Sequence, residues 1–328
     1  MTNFPQAFLD ELKKNCPIQQ NVRLNFISRW KIGGIAELII TPDNKEQIVS
    51  AVNILKKHDI DYVIIGGTTN ILFTDKKITT AILKISGKFS NLSVQDDTVE
   101  IDSGHWIPSL ARRLANEGLS GVEHICGIPG TLGGLICMNG GSQRKGIGEH
   151  IITVESIDRD GTVIERSNAE CNFTYRMSSY QGNEEIILKA KLKLIKKDRS
   201  SIRQEMLKIF AERKSKFPHR LPNCGSVFVS NPSMYKEYGP PGKIIEGIGY
   251  KGFRKNNVQV SPLHANFIVN TGNGKAIDVL EIIREVRLNV FNKTGYHLIA
   301  EAKYMSPKGE LIPAHDERCM ELEMENER

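Results

Sequence analysis

The chain is poor in the features that announce many functions. It has six cysteines in 328 residues, with no Cys-x-x-Cys pair, and its eight histidines form no metal-ligand spacing, so a zinc site or disulfide framework is not expected. The cysteines (Cys16, Cys126, Cys137, Cys171, Cys224, Cys319) read as free thiols of a reducing compartment. No apolar run approaches membrane-spanning length. The start, Met1-Thr2-Asn3-Phe4-Pro5, lacks the basic and apolar regions of a signal peptide; a cytoplasmic location with no membrane insertion is expected. A basic stripe interleaved with aromatics is missing too, which argues against nucleic acid as a partner. The two glycine-rich turns, at 66–70 and 127–134, carry neither Gly-Lys-Ser/Thr nor Gly-x-Gly-x-x-Gly, disfavouring Walker and Rossmann nucleotide sites.

What remains is ordinary for a soluble protein. Hydrophobic residues are 40% and charged residues 25%, enough for more than one core, and the net charge of +6 suits anionic ligands without requiring them. Ile48, Val52 and Leu55 share a helical face over 45–58, and Asp61 to Gly66 reads as a buried strand running into glycines. A strand near Val99–Asp102 precedes a helix over 107–117 carrying Ile107, Leu110, Ala111 and Leu114. Asp160-Gly161 signals a hairpin. Over 186–194, Ile186, Leu188, Ala190, Leu192 and Leu194 alternate with lysines, whose run Lys189, Lys191, Lys193, Lys196, Lys197 reads as a solvated face.

A composition change at Lys196–Ser200 marks a boundary, followed from Ser201 by an amphipathic helix with a serine cap. A second long helix spans roughly 276–292, with Gly295 as its stop. The charge-rich end, 314–328, is expected to be a loose tail. Mixed helices and strands give an α+β class in several units.

Two glycine-rich turns follow strands: Gly66-Gly67-Thr68-Thr69-Asn70, and Gly127-Ile128-Pro129-Gly130-Thr131-Leu132-Gly133-Gly134. Glycine lets backbone N–H groups approach a pyrophosphate, although a tight structural turn would have the same composition. Three further segments carry reactive groups: Tyr175-Arg176-Met177-Ser178, Cys224-Gly225-Ser226-Val227-Phe228 and Leu298-Ile299-Ala300-Glu301. A cation, a hydroxyl and a carboxyl can manage charge and a proton at one carbon centre. Each also has an ordinary reading, as a surface arginine, a turn serine and a solvent-facing glutamate.

These segments, in this order, resemble the UDP-N-acetylenolpyruvoylglucosamine reductases (the MurB family) from about residue 20 to 306. Also matching are Lys31–Ala36, Gly121–Gly134, Asn139-Gly140, Phe173–Ser178, Arg213 with Lys216 and Pro218, Lys251-Gly252 and Val260–Asn270. The resemblance implies a two-part FAD-binding region of vanillyl-alcohol-oxidase type (1–85 and 86–199, with 296–313 returning to it), then an α+β substrate domain over 200–295. It implies non-covalent FAD held by Gly66, Gly67, Thr68, Thr69, Asn70, Gly127, Ile128, Pro129, Gly130, Gly133, Gly134 and Asn139. NADPH would reduce the flavin, and a nucleotide-linked enolpyruvyl ether would then accept hydride, yielding UDP-N-acetylmuramate for peptidoglycan.

By the same resemblance, Arg176 stabilises the developing enolate-like charge, Glu301 assists it and Ser226 delivers the proton. Tyr175, Arg213, Lys216 and Asn231 would bind substrate, and His264 would support packing. Several positions depart from the family pattern. Thr68 stands where glycine is usual and is ill suited to a positive φ. Gly140-Gly141-Ser142-Gln143 replaces Gly-Ala-Tyr-Gly, and the stretches Val229–Pro232 and Tyr235–Pro241 differ near the expected diphosphate site. They leave a second reading, a paralogous flavin reductase of a related enolpyruvyl or nucleotide-sugar substrate. A third, a non-catalytic flavin-binding module, is disfavoured because Arg176, Ser226 and Glu301 are all retained.

Overall fold

The computed structural model describes residues 3–85 and 87–325; the last three residues of the charged tail lie outside them. The chain divides into two compact units. The first comprises Met1–Gln19, Ile39–Gly67 and Ala81–Arg213; the second comprises Gln20–Leu38, Thr68–Thr80 and Lys214–Arg328. Residues 200–213 thus belong with the first unit, not with the substrate segment expected to open at 200. The reason is packing: Ile202, Met206 and Ile209, on one face of the helix Arg199–Lys216, are buried in the first unit's core.

In the first unit, the strand Ala81–Lys84 pairs in parallel with Ile39-Ile40 and with Tyr62–Ile65, placing Ile82 between Ile39 and Val63. The helix Lys45–Lys57 buries Ile48, Ala51, Val52, Ile54 and Leu55. Its start is fixed by Asn44, whose side chain accepts the Gln47 N–H at 2.8 Å, while Gln47 Oε1 accepts the Asp43 N–H. A cap of this kind is worth about 1 kcal/mol.

A five-stranded antiparallel sheet follows, in the order Val163–Ser167, Ile151–Ile157, Ile186–Lys193, Thr98–Asp102, Leu92–Gln95. Ile187, Ala190 and Leu192 share a core with Ile107, Leu110, Ala111 and Leu114 of the helix Ile107–Asn116, while Leu188, beside a register shift between Ile187 and Lys189, is buried outside that cluster. The lysine face is charge-paired: Lys189 meets Glu100 at 3.1 Å and Lys193 meets Asp97 at 2.6 Å, with Lys196 against Asp96. The expected hairpin at Asp160-Gly161 joins the first two strands, with Asp158 Oδ1 accepting the N–H groups of Asp160 and Thr162. The cap of Arg199–Lys216 is Asp198 instead of a serine: its carboxylate accepts both the N–H and the hydroxyl of Ser201.

The second unit is built around the helix Ala276–Thr294, which ends at Gly295 with φ +74, the left-handed stop glycine provides. Val279, Leu280, Ile282, Ile283, Val286 and Val290 are buried, each contributing about 1.5–3 kcal/mol relative to exposure. Against it lie the meander Arg254–Lys255, Val258–Val260, Ile268–Asn270 and the sheet Leu311–Pro313, Lys303–Met305, Ile71–Phe73. Residues 315–325 are not loose: Arg318–Met324 is helical and buries Cys319 in this core. Lys76 Nζ donates to the carbonyls of Leu322 and Glu325, and the Tyr304 hydroxyl donates to Glu323 at 2.7 Å. Charge density concealed one short apolar edge that neighbouring side chains could capture.

All six cysteines are free thiols. Burial pushes Cys16, Cys224 and Cys319 up to about 12. Among the described residues no helix is long and apolar enough to cross a membrane.

Candidate active site

The two glycine turns meet within the first unit. A Cβ at Gly66 would sit 2.5 Å from Thr131 Oγ1, and one at Gly67 only 3.1 Å from Gly130 Cα. Only glycine permits this approach. Gly130 is buried, and among the described residues the N–H groups of Gly66, Gly67 and Gly130 find no acceptor in the protein. Unpaired donors converging from two turns suit a diphosphate. Behind them Gly133 donates to the Ser103 carbonyl at 2.8 Å and Ile128 to the Ile125 carbonyl at 2.9 Å, fixing the second turn. Pro129 is half-buried between them, and Gly134 is exposed. Arg213 buttresses the same turn: its Nε donates to the Gly127 carbonyl at 2.9 Å, so part of a guanidinium expected at the substrate is engaged here. Burial holds Arg213 below its usual range.

Arg176 sits at the tip of a two-residue hairpin closed by reciprocal bonds between Thr174 and Met177, both 3.1 Å. Its φ is +59, a conformation costing a side-chain-bearing residue about 1–2 kcal/mol. The guanidinium lies 5.5 Å from the centre of the exposed Tyr175 ring and donates to the Gly141 carbonyl at 3.1 Å. Gln181 Nε2 bonds the Arg176 carbonyl at 2.8 Å. Asn139, expected at the cofactor, spends its amide on this hairpin. Its Nδ2 donates to the Thr174 carbonyl at 2.8 Å and its Oδ1 accepts the Gly148 N–H at 3.0 Å.

In the second unit Ser226 and Glu301 lie on paired backbones. Phe228 bridges Ala300, the Glu301 N–H donates to the Val227 carbonyl at 2.7 Å, and Val229 donates to Ile299 at 3.0 Å. The half-buried Ser226 hydroxyl makes no hydrogen bond among the described residues, which leaves its proton available. Asn266, buried at 6%, holds this segment from the other side. Its Oδ1 accepts the Phe228 N–H at 3.0 Å and its Nδ2 donates to the Phe228 carbonyl at 2.9 Å. Asn70 donates to the Glu301 carbonyl at 2.9 Å, so it too positions this segment. His264 packs near Phe217 and Phe267, and burial lowers its pKa.

Thr68 corrects the sequence reading: it is buried and adopts φ +55. Its hydroxyl donates to the Ile27 carbonyl at 2.9 Å, offsetting the strain that glycine would avoid. Thr69 beside it is half-buried. Asn231 serves as a helix cap, its Oδ1 accepting the N–H groups of Ser233 at 2.9 Å and Met234 at 3.3 Å. Lys216 closes its helix and is exposed. The sequence reading assigned no role to Asn266 or Gln181. Asn266 stood inside a quoted motif, whereas nothing local marks Gln181.

Residues 36–167 match the FAD-binding domain family. With the glycine cradle, this defines an FAD-containing oxidoreductase. Residues 217–305 match the C-terminal domain of UDP-N-acetylenolpyruvoylglucosamine reductase. A reductase of that name from Corynebacterium glutamicum is 41% identical over 90% of this chain and 88% of its own length. One from Prochlorococcus marinus is 34% identical over 87% of this chain and 97% of its own. The crystal structure of the Thermus caldophilus UDP-N-acetylenolpyruvylglucosamine reductase superposes with TM-score 0.74 at 27% identity, covering 88% of this chain and 99% of that one. The chain belongs to the UDP-N-acetylenolpyruvoylglucosamine reductase family.

Proposed function

We propose that this protein reduces UDP-N-acetylglucosamine enolpyruvate to UDP-N-acetylmuramate, with NADPH as reductant, in the cytoplasmic synthesis of peptidoglycan precursors, and so serves cell shape and division. The observation that carries the chemistry is the pairing of the Ser226 and Glu301 segments, with a serine hydroxyl left unengaged among the described residues beside a carboxyl-bearing segment. The turns at Gly66-Gly67 and Gly127–Gly130 would hold FAD, which when bound would supply the hydride.

The side chains then manage charge. Hydride addition at the methylene carbon pushes electrons into the substrate carboxylate, and the Arg176 guanidinium, which keeps its proton, stabilises that charge through a planar fork. Glu301 adds a hydrogen bond, in a protonated or proton-sharing form. Ser226 delivers its proton to the carbon bearing the carboxylate, setting the lactyl stereocentre. Tyr175, Arg213, Lys216 and Asn231 bind the nucleotide sugar.

NADPH oxidation by the FAD-loaded protein is expected to depend on UDP-N-acetylglucosamine enolpyruvate and to yield a lactyl ether, with UDP-N-acetylglucosamine inert. A flavin that NADPH reduces but this substrate fails to reoxidise would point to the paralogous reductase, which the altered stretches at Gln143 and Ser230 favour. Ser226→Ala is expected to lower turnover by about 10²–10³-fold with flavin retained.

A further inference from the structure

Residues 306–325 extend beyond the matched C-terminal domain, yet they fold back onto the segment that carries Glu301. The Ala314 N–H donates to the Ala302 carbonyl at 2.9 Å, and the Ala300 N–H donates to Nδ1 of His315 at 3.2 Å. His315 is itself held by Arg287, whose guanidinium donates to the carbonyls of His315 at 2.9 Å and Leu298 at 2.8 Å. From the other side come the Val227 carbonyl and the Asn70 amide, both bound to the Glu301 backbone. Four anchors thus fix residues 300–302, and only one of them can titrate. An imidazole accepts at Nδ1 only when neutral, with its proton on Nε2; the imidazolium presents a second N–H to the Ala300 N–H and repels it.

We propose that His315 is a positioning residue for Glu301: its neutral ring grips the Ala300 amide, and the C-terminal segment thereby aims the Glu301 carboxyl at the substrate. This rests on the role given to Glu301 above. The charged groups around the ring fit it. Burial, Arg287 from the long helix and Lys303 from the paired strand oppose protonation, Asp316 favours it, and the balance keeps His315 below its ordinary value of 6.5. The grip is therefore complete above pH 6.5 and is lost as pH falls through the lower, folded-state value.

The test uses the full-length, FAD-loaded protein as wild type, His315→Ala and His315→Asn, the asparagine Oδ1 replacing the Nδ1 acceptor. His315→Ala is expected to slow reoxidation of NADPH-reduced enzyme by the enolpyruvyl substrate about 10–100-fold, the scale of a misplaced catalytic group. Flavin reduction by NADPH should be unchanged. His315→Asn should restore most of the rate and lose the acid limb of its pH profile. Amide hydrogen exchange at Ala300 should quicken in the alanine variant and recover in the asparagine variant. Equal reoxidation rates, a loss shared by both half-reactions, or an acid limb kept by His315→Asn would overturn the proposal. If the substrate fails to reoxidise wild-type flavin, the functional reading falls, and unchanged Ala300 exchange in His315→Ala would sink the positioning role independently.

Discussion

The Asn139 amide lies 2.8 Å from the Thr174 carbonyl, two residues ahead of Arg176, and its oxygen holds the Gly148 N–H. Its two polar ends are both committed to protein, although a cofactor contact was expected of it. Asn139→Leu would strand the N–H of the buried Gly148, at a cost of about 1–3 kcal/mol, while the carbonyl of the exposed Thr174 can turn to water. Turnover should fall while the purified protein keeps its flavin absorbance. Loss of flavin with intact stability would return Asn139 to the cofactor.

Arg176 occupies a backbone conformation that glycine adopts freely. Arg176→Gly sheds that strain together with the hydrogen bond to the Gly141 carbonyl, so it should lie within about 1 kcal/mol of wild-type stability in a urea titration. The same variant should lose turnover by about 10²–10³-fold. Arg176→Lys retains the charge and the backbone strain but lacks the fork, so it should bind flavin normally and still lose rate. Wild-type turnover in either variant would remove Arg176 from the chemistry.

At Thr68 strain and a hydrogen bond oppose each other. Thr68→Val keeps the β-branched strain at φ +55 and loses the bond to Ile27, so it should cost about 1–2 kcal/mol. Thr68→Gly loses both and should lie near wild type. Comparing their denaturation midpoints decides the point: equal losses would mean that the hydroxyl alone matters.

His124 gives the first unit an acid sensitivity. It is 2% exposed, its Nδ1 meets the Gly121 carbonyl at 3.1 Å, and its Nε2 is buried without a partner among the described residues. Burial and the nearby His150 push its pKa below the ordinary 6.5. The folded state thus favours the neutral ring: this stabilisation is present above pH 6.5 and is lost as pH falls through the folded value. His124→Asn can still donate to Gly121 but cannot titrate there. Its melting temperature should start lower at pH 8 and fall less steeply towards pH 5, by the share of about one proton. An unchanged slope would clear His124.

The periodic elements were legible because a helix or strand records its buried face in a short window. The helices Lys45–Lys57 and Ala276–Thr294 and the strand Ile186–Lys193 fall close to their expected limits. The glycine turns were legible as kinds of turn, but not as a contact, since Gly67 and Gly130 are far apart in sequence. Side chains that act on distant backbone left no local mark: Asn139 on Thr174, Thr68 on Ile27, His315 on Ala300. The terminal helix was missed for a related reason, because its capture depends on Lys76 and Tyr304.

The order in which the segments leave the ribosome differs for the two units. By Arg213 every piece of the first unit has been synthesised, and it can close its core while translation continues. The second unit has by then only Gln20–Leu38 and Thr68–Thr80. Trp30, Ile32 and Leu72 must wait, without their core, for Phe228, the helix Ala276–Thr294 and Cys319. During that interval the nascent chain exposes apolar surface that holdase chaperones bind. Cutting the gene at residue 213 would leave that surface permanently uncovered on the upstream fragment.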